Sequence, residues 1–287
     1  LYLREDPLTC LRYVFFKKQS KVVIAHLFPT IYLVGIASAA KKICYEHNSW
    51  NRRRKFKVFK WLEKFIYVKF NAVVGITDDV CNELKEWLGV PIKNINTIEN
   101  GVLIGDFKPK KKSLTATITL GMVGRIADQK DLYTLMNIIS NSPKHINFKY
   151  AGDGDKLEYY RSLVKQKGID HRFEFVGAIT NIENFMTSID VYVHSAHWEG
   201  FGIAAIEAMS CGVPIIYSNT IGISEVVAEF GVPYTQGSDT DAMKALMTVL
   251  ESYETYSNLA LRRSKVYNIK KTQMKIQKLV TKLNAIK

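Results

Sequence analysis

Short apolar runs alternate with helical segments along almost the whole chain, and this alternation limits the fold more than any other feature. The clearest case begins with the apolar run at residues 189–193, which we predict to be a buried strand. The chain then passes two glycines and enters a helix near Ile203 that ends at Gly212, with Pro214 just beyond. Such alternation is typical of a parallel sheet with crossover helices. We therefore expect an α/β protein.

The pattern recurs on both sides of a lysine-rich segment, residues 107–113, which lacks apolar periodicity and is predicted to link two domains. The strands expected before it are residues 21–25, 42–45, 72–76 and 95–98, and those after it are residues 117–123, 147–151, 173–176, 190–193, 213–218 and 231–234. A length of 287 residues fits two domains. We predict an N-terminal domain at 1–106, a second domain at 107–262, and a basic amphipathic helix at 263–287 that packs back on the first.

The composition indicates a globular protein with an anionic partner. The chain is 47% hydrophobic and 23% charged, which excludes a disordered protein, and its net charge is +13. Nucleic acid, an acidic membrane surface and a phosphorylated small molecule all suit that charge. The cysteines are predicted to be reduced thiols without a metal, because they form no C-x-x-C pair. They are Cys10, Cys44, Cys81 and Cys211.

Two segments resemble membrane elements. Residues 22–40 carry no formal charge, but a proline and polar residues interrupt them, so we predict a strand, a loop and a helix instead of a spanning helix. Residues 52–70 are predicted to form a long basic helix with an apolar stripe. The stripe is Phe56, Phe59, Leu62 and Ile66. A stripe that faces the core is favoured over a membrane-surface role.

Polar residues follow the predicted strands of the first half at their carboxyl ends, where parallel sheets bind ligands. His26 follows the first strand, His47 the second and Asn100 the fourth. This placement makes all three candidates for chemistry, although an ordinary loop histidine is the favoured interpretation of His26.

The second half offers two carboxylates beside a predicted helix N-terminus. Glu199 lies on the loop after the strand at 189–193, and Glu207 lies on the first turns of the next helix. Gly200 and Gly202 allow close approach of a ligand, and the helix N-terminus offers N–H groups to an anion. Glu207 is suited to accept hydrogen bonds from paired ribose hydroxyls, and Glu199 from sugar hydroxyls. The pattern indicates a phosphorylated ligand that also carries hydroxyls.

Cations follow an earlier strand of the same domain. Gly124 and Arg125 end the strand at 117–123, and Lys130 lies five residues beyond the arginine. Together these cations would neutralise a diphosphate and stabilise it as a leaving group. Asp153 and Asp155 form a D-x-D pair, for which a turn and a helix cap are favoured over a metal site. No Gly-x-Gly-x-x-Gly follows a strand and no P-loop occurs, which argues against a nicotinamide dehydrogenase and a nucleoside triphosphatase.

In their order along the chain these motifs resemble those of retaining glycosyltransferases of family 4. The matching stretches are Gly124-Arg125-x4-Lys130, Gly152-Asp153-Gly154, Phe175-Val176-Gly177, Glu199-Gly200-Phe201-Gly202-x4-Glu207, Asn100-Gly101-Val102 and His47 after a strand. The resemblance implies the GT-B fold, in which two Rossmann-like domains face each other across a cleft and the second holds most of the nucleotide sugar. It also implies transfer with retention and without a metal or a separate cofactor.

The resemblance assigns a role to each matching residue. Arg125 and Lys130, beside Gly124, would bind the donor diphosphate. Glu199 would bind the sugar near the reacting carbon, and Glu207 the ribose. The backbone N–H groups of residues 200–203, which are Gly200, Phe201, Gly202 and Ile203, would meet the phosphate and sugar. Val176 and Gly177 would lie near the base. His47 would face the cleft near the reacting sugar, with His26 and Asn100 as further cleft residues.

Two departures from the family pattern stand out. His194-Ser195 occupies the place of the usual proline-serine pair, a change that we expect the site to tolerate. Residues 1–20 contain no match to the glycine-rich loop that opens the family's first domain, so that domain is expected to be truncated at its start. The donor-binding half is expected to fold.

The expected function is transfer of a hexose-type sugar from a nucleotide-diphosphate sugar to a glycan or lipid-linked acceptor in surface polysaccharide biosynthesis. A cytoplasmic location, peripheral at the inner face of the membrane, would suit a lipid-linked acceptor. A truncated non-catalytic nucleotide-sugar-binding protein and a GT-B sugar epimerase stay open as alternatives. A nucleic-acid partner is disfavoured, because no stacking platform or recognition motif occurs.

Overall fold

The computed structural model describes residues 22–36, 41–48, 51–92, 94–103 and 116–285. The chain divides into two compact units, of which the first comprises Leu1–Asn100 with Lys270–Lys287 and the second Gly101–Ile269. The predicted linker at 107–113 and residues 1–20, which lack a match to the glycine-rich loop, lie outside the described residues. Both units are parallel α/β structures, as the alternation of strands and helices predicts.

The first unit is built on a four-stranded parallel sheet with the order β1-β2-β3-β4. The strands are β1 (Val22–His26), β2 (Lys41–Glu46), β3 (Ala72–Gly75) and β4 (Ile95–Thr97). Its helices are α1 (Thr30–Ile36), α2 (Lys57–Tyr67) and α3 (Asp78–Leu88). The uncharged segment at 22–40 therefore holds β1 and α1, as expected. Thr77 caps α3, because its hydroxyl accepts a hydrogen bond from the Val80 N–H at 3.1 Å.

The predicted helix at 52–70 is interrupted. Residues 52–55 form a short 3-10 turn, Phe56 is extended (φ −109°, ψ 118°), and α2 begins only at Lys57. The prediction that its apolar stripe faces the core is wrong for all but Ile66: Phe56 is 60% exposed, Leu62 is 41% exposed and Phe59 is half-buried.

A buried carboxylate explains the orientation of α2. The Glu63 side chain is fully buried and accepts hydrogen bonds from the Tyr32 hydroxyl at 2.6 Å and the Trp87 indole N–H at 2.7 Å. Burying a carboxylate requires such partners. These bonds keep the face of the helix that carries Glu63 toward the core, although the apolar periodicity predicts that the stripe would be buried instead.

The second unit is built on a six-stranded parallel sheet with the order β10-β9-β8-β5-β6-β7. The strands are β5 (Ile118–Val123), β6 (Ile146–Ala151), β7 (Phe173–Gly177), β8 (Val191–His194), β9 (Ile215–Ser218) and β10 (Val232–Tyr234). The helices between them are α4 (Leu132–Asn141), α5 (Leu157–Gln166), α6 (Ile182–Ser188), α7 (Ile203–Ser210) and α8 (Ile223–Val227). This is the doubly wound order, in which the chain direction across the sheet reverses between the first and fourth strands, here β5 and β8.

The carboxyl-terminal region differs from the single basic helix predicted at 263–287, because that helix begins only at Ile269. The region forms α9 (Asp239–Glu251), α10 (Tyr253–Ser264), a 3-10 turn and α11 (Ile269–Ala285). The sequence gives little sign of α10, because its first turns are rich in tyrosine and serine, which have modest helix propensity. Packing stabilises it instead: the Ser257 hydroxyl donates to the Gly212 carbonyl at 2.7 Å and the Tyr253 hydroxyl to the Asp190 carbonyl at 3.1 Å.

Most of α11 belongs to the first unit. Lys41 donates to the Leu283 carbonyl at 2.5 Å, and the Thr272 hydroxyl donates to the Glu99 carbonyl at 2.9 Å. Cys44, Cys81 and Cys211 are buried free thiols. Within the described ranges, no helix combines the length and apolar character that crossing a bilayer requires.

Candidate active site

The candidate site lies at the switch point of the second sheet. β5 and β8 are neighbours there, with Leu120 in register with Val191. Their connections leave toward opposite sides of the sheet, so the loops after the two strands part at their carboxyl ends. One loop carries Arg125 and Lys130, and the other carries Glu199. The topology therefore brings the predicted cations and the first predicted carboxylate to one edge.

Backbone hydrogen bonds join the two loops. Lys130 and Ala196 form an antiparallel bridge, and the His197 N–H donates to the Gln129 carbonyl at 2.8 Å. The Gln129 side-chain amide in turn donates to the Trp198 carbonyl at 2.9 Å. These bonds fix the position of Lys130 relative to Glu199.

Lys130, Glu199 and His194 form a compact polar cluster. Lys130 Nζ lies 2.7 Å from Glu199 Oε2, and His194 Nε2 lies 3.4 Å from the same oxygen. The other oxygen of Glu199 accepts a hydrogen bond from the Gly200 N–H at 3.1 Å. All three side chains are largely buried, with exposed fractions of 9%, 16% and 2% for Lys130, Glu199 and His194.

The charges within this cluster are strongly coupled. Burial by itself would raise the pKa of Glu199, but the contact with His194 and the charge of Lys130 outweigh it and hold this pKa well below its usual range. Burial, and then the charge of Lys130, lower the pKa of His194. At neutral pH Glu199 is therefore a carboxylate and His194 a neutral imidazole.

The N-terminus of α7 faces the same edge of the sheet. Gly202 caps this helix in the left-handed region at φ 80°, and a Cβ there would lie 2.6 Å from Ile223 Cδ1. The amides of the first helical turn lack intrahelical acceptors and carry the positive end of the helix dipole. Such an arrangement favours an oxyanion.

Gly222 lies directly against the backbone of the loop that carries Glu199. Its φ is 89°, and a Cβ there would lie only 2.3 Å from the Glu199 carbonyl oxygen. Any other residue would push this loop outward. The position of Glu199 thus depends on a glycine 23 residues further along the chain.

Glu207 is half-buried on α7, and its side chain makes no hydrogen bond or ion pair with the described residues. Burial raises the pKa of Glu207 to about 7. A carboxylate that is partly desolvated and unpaired is stabilised when ligand hydroxyls donate hydrogen bonds to it.

Arg125 is the most accessible cation of the site. Its side chain is 77% exposed and forms an ion pair with Asp155, at 3.6 Å between Nη2 and Oδ1. An exposed pair at that distance contributes little stability, so the guanidinium can turn toward an anion. Asp155 does not cap α5, contrary to the prediction, because Lys156 occupies the cap position. Asp153 does form the predicted turn, in which its carboxylate accepts from the Gly154 N–H at 2.7 Å.

The glycines near Arg125 are required by close backbone approach. A Cβ on Gly152 would lie 1.9 Å from the Gly124 carbonyl oxygen, and one on Gly154 would lie 2.1 Å from the Ile126 carbonyl oxygen. The Gly124 N–H donates to the Ala151 carbonyl at 3.0 Å. The Gly-Asp-Gly motif thus positions the loop of Arg125.

The remaining predicted donor residues differ in accessibility. Val176 is 40% exposed at the end of the edge strand β7, and Gly177 follows it at φ 81°. Ile203 is 45% exposed at the start of α7. The Phe201 side chain is 3% exposed and packs edge-to-face on Tyr267, so only its backbone can face a ligand. The prediction for Phe201 concerns its backbone N–H, which the burial of the side chain leaves unaffected.

The predicted residues of the first unit form a separate cluster. His26 Nδ1 and His47 Nε2 lie 2.9 Å apart, and both rings stack on Tyr45 with centroids 5.0 Å away. Burial lowers the pKa of His26, and burial followed by the charge of His26 lowers the pKa of His47 to about 4. His26 is the last residue of β1, at the carboxyl end of the strand as expected, and it is paired with His47 instead of lying free in a loop. Asn100 lies three residues after β4 and is half-buried.

Sequence reasoning gave no role to three residues of this site. His194 was noted only as a departure from the proline-serine pair, although its position at the end of β8 places it beside the next loop. Gln129 and Gly222 carry no local signal, since their roles arise from contacts with residues far away in the chain.

Comparison with known proteins identifies the family. The model of the family described as Glycosyl transferases group 1 matches residues 105–265, and that of Glycosyltransferase Family 4 matches residues 5–104. The first match covers more than half of the chain. The chain belongs to the glycosyl transferases group 1 family. The family resemblance inferred from the two-glutamate motif is confirmed.

Two curated proteins illustrate the sequence similarity of this chain to known glycosyltransferases. The GPI3 subunit of phosphatidylinositol N-acetylglucosaminyltransferase from Saccharomyces cerevisiae is 29% identical over 164 residues, which are 53% of this chain and 36% of the yeast protein. UDP-Gal:alpha-D-GlcNAc-diphosphoundecaprenol alpha-1,3-galactosyltransferase from Escherichia coli is 29% identical over 234 residues, 72% of this chain and 59% of that protein. The matches thus span less than two thirds of either relative.

Among solved structures, HepE of Anabaena in complex with UDP and glucose superposes with a TM-score of 0.85 at 17% identity. The match covers 95% of this chain and 81% of HepE. It shows that the two chains share a fold, and the glycosyltransferase neighbours of this kind confirm the GT-B class.

Proposed function

We propose that this protein is a retaining, metal-independent glycosyltransferase that moves a hexose-type sugar from a nucleoside-diphosphate sugar to a glycan or lipid-linked acceptor in surface polysaccharide biosynthesis. The observation that carries the proposal is the Lys130–Glu199 pair beside the N-terminus of α7, with the unpaired Glu207 on the same helix. It supplies charge for a diphosphate and two separate carboxylates for hydroxyl groups.

The order of strands supports an extended donor. Glu199 follows β8 and Val176 ends β7, with β5 and β6 between them. Three strand spacings of roughly 4.8 Å separate the two positions by roughly 14 Å, a span suited to a nucleotide sugar laid across the strand ends. In this arrangement the sugar lies near Glu199, the diphosphate near Lys130 and Arg125, and the base near Val176 and Gly177.

The proposed reaction follows from these positions. The bond between the anomeric carbon and the diphosphate oxygen breaks, and an acceptor oxygen bonds to the same face of that carbon. The acceptor proton passes to the departing diphosphate, so the products are the glycosylated acceptor and the nucleoside diphosphate. Lys130, Arg125 and the α7 N-terminus stabilise the charge that develops on the leaving group, which is the function that a metal ion serves in other transferases. Glu199 orients the sugar.

His47 is proposed to act from the first unit. Its lowered pKa keeps it neutral at physiological pH, and its hydrogen bond with His26 fixes one ring nitrogen. A neutral imidazole held in this way can exchange a hydrogen bond with a sugar hydroxyl without adding a positive charge. Asn100 is a further candidate for contact with substrate.

The acceptor proposal draws on the relatives. The name of the Escherichia coli relative includes a diphosphoundecaprenol-linked sugar, and that of the yeast relative includes phosphatidylinositol. We therefore favour a lipid-linked acceptor and a cytoplasmic protein that associates peripherally with the inner face of the membrane. HepE was solved with UDP and glucose, which makes UDP-sugars the first donors to test.

The experiment begins with a thermal-shift screen of UDP-, GDP- and ADP-sugars, because a ligand of the folded state raises the unfolding temperature. The stabilising donor is then incubated with candidate acceptors while nucleotide release is measured. Release that depends on acceptor and is lost in Glu199→Gln supports the proposal. Binding without release would indicate a non-catalytic binder, and a changed sugar that forms without an acceptor would indicate an epimerase; either result would overturn it.

A further inference from the structure

The outward face of α2 is a continuous apolar stripe. Its members are Val58, Trp61, Leu62, Phe65 and Val68, with exposed fractions of 68%, 74%, 41%, 56% and 56%. Spacings of three and four residues place them on one side of the helix. A surface helix ordinarily turns such a stripe toward the core, whereas α2 turns it toward solvent.

The outward orientation of the stripe is fixed by the inner face. Rotating α2 to bury Trp61 would remove the Glu63 carboxylate from its hydrogen bonds with Tyr32 and Trp87. The exposed apolar face therefore belongs to the stable fold. A contiguous patch of large exposed apolar side chains marks a surface for interaction.

Positive charge surrounds this stripe. Residues 52–69 contain eight lysines and arginines and one acidic residue, the buried Glu63. Arg53 lies on the inner side, 3.6 Å from Glu63, so the charge beside the stripe comes from the lysines of α2 and from Lys69. Lys64 Nζ lies 5.4 Å from the centroid of the Trp61 ring, and Lys69 Nζ lies 3.7 Å from that of Phe65. The ammonium groups thus lie directly beside the exposed aromatic rings.

An exposed apolar stripe bordered by lysines could meet a second copy of the chain, another protein or a lipid bilayer, and its composition favours the bilayer. A second copy docked on the same face would bring two sets of lysines together, which opposes association. The cores of protein–protein interfaces are enriched in aromatic residues, methionine and arginine but depleted of lysine, whereas lysines lie directly beside the aromatic rings of this stripe. Tryptophan, phenylalanine and leucine bordered by lysines are typical of helices that lie in the interface of an anionic bilayer.

We propose that α2 docks the first unit on an anionic lipid bilayer. Trp61, Leu62 and Phe65 enter the boundary between headgroups and acyl chains, and Lys57, Lys64 and Lys69 meet the headgroup phosphates. The helix lies in the plane of the surface. This inference rests on the proposed lipid-linked acceptor for its purpose, because such docking would hold the enzyme beside its second substrate.

The test is flotation of the full chain with vesicles of phosphatidylcholine alone and of phosphatidylcholine mixed with phosphatidylglycerol. We expect binding to the anionic vesicles that weakens at raised salt, because screening reduces surface attraction. Trp61→Ser combined with Phe65→Ser should lower the partition coefficient by about tenfold or more, since two inserted aromatic side chains are lost. Lys57→Gln combined with Lys64→Gln should weaken binding to anionic vesicles only.

The matched control replaces exposed apolar side chains elsewhere. Met247→Ser combined with Met274→Ser removes two methionines that are 44% and 62% exposed on α9 and α11, and should leave vesicle binding unchanged. Emission from the exposed Trp61 should also move to shorter wavelength when anionic vesicles are added, and this change should be absent from Trp61→Phe.

Three results would overturn the docking proposal: no binding of the wild-type chain to anionic vesicles, equal binding of the Trp61/Phe65 variant, or a wild-type dimer that this variant converts to a monomer without any vesicle binding. The last would show that the face joins two copies. Failure here is separate from failure of the proposed transfer, because nucleotide release with a water-soluble acceptor analogue does not need a vesicle.

Discussion

Lys130 Nζ lies 2.7 Å from Glu199 Oε2, although the two side chains are proposed to bind different parts of the donor. Lys130 is assigned to the diphosphate and Glu199 to the sugar. The two opposite charges form an ion pair. A bound diphosphate competes for Lys130, and Glu199 keeps the hydrogen bond that it accepts from the Gly200 N–H at 3.1 Å. This relationship leads to the first prediction.

Lys130→Met should weaken nucleotide binding by about 10- to 100-fold, the effect of losing one charge-assisted hydrogen bond to a phosphate. Isothermal titration with UDP, or with the nucleotide that the thermal-shift screen selects, measures this change. Lys165→Met, an exposed lysine on α5, is the control and should bind like the wild type. Equal affinities for the two variants would remove Lys130 from the diphosphate site.

Glu207 should make donor binding depend on pH. Its pKa of about 7 means that the fraction ionised grows as the pH rises through neutrality, and the ionised form accepts hydrogen bonds from ribose hydroxyls. The affinity for a UDP-sugar should therefore increase by up to about tenfold between about pH 6 and pH 8. A UDP-sugar is the right probe because its diphosphate does not titrate in this range. Glu207→Gln should bind weakly with a flat profile, and a wild-type slope in that variant would contradict the assignment.

Gly222→Ala should displace the Glu199 loop. The added Cβ would meet the Glu199 carbonyl oxygen at 2.3 Å, in a backbone conformation that also disfavours alanine. We expect a loss of about 1–3 kcal/mol in the free energy of unfolding together with reduced nucleotide binding. Gly237→Ala is the control, since Gly237 has a similar φ of 77° but no neighbour within 4 Å. It should lose only about 1 kcal/mol and bind normally. Similar binding by both variants would show that Gly222 does not support the site.

The histidine pair should make the first unit sensitive to acid. The pKa of His47 is about 4 in the folded chain and about 6.5 in an unfolded one, so the unfolded state takes up the proton first as the pH falls. The stability contributed by neutral His47 is complete above about pH 6.5 and is lost as the pH falls to about 4, a change of up to about 3 kcal/mol. Urea unfolding at several pH values should show a shallower decline for His47→Gln than for the exposed-histidine control His145→Gln. Parallel declines would count against a buried neutral His47.

Much of this fold could be predicted from the sequence, because period and local chemistry determine it. The strands ending at Gly124 and Gly177 and the helix that begins at Ile203 follow from apolar runs, glycines and caps. The stripe of α2 was misplaced because burial of Glu63 depends on Tyr32 and Trp87, which the local sequence does not reveal. The helical segment at 255–261 was not predicted for a similar reason, since packing stabilises that part of α10.

Some residues of the candidate site could likewise be predicted from the sequence, and others could not. Glu199, Glu207 and Lys130 could be found because strand ends and helix starts indicate where ligands bind. His194 and Gly222 could not be given roles, because these arise from contacts made only when distant loops meet. The sequence also could not show that the Phe201 side chain is buried against Tyr267.

The central claim is transfer of a sugar with retention, dependent on Glu199. The most direct measurement is proton NMR of the product formed from an α-linked nucleotide sugar and an acceptor, alongside nucleotide release by the wild type and Glu199→Gln. The account predicts an α-linked product and a loss of at least about a hundredfold in turnover for the variant. A β-linked product, or equal turnover by Glu199→Gln, would contradict it.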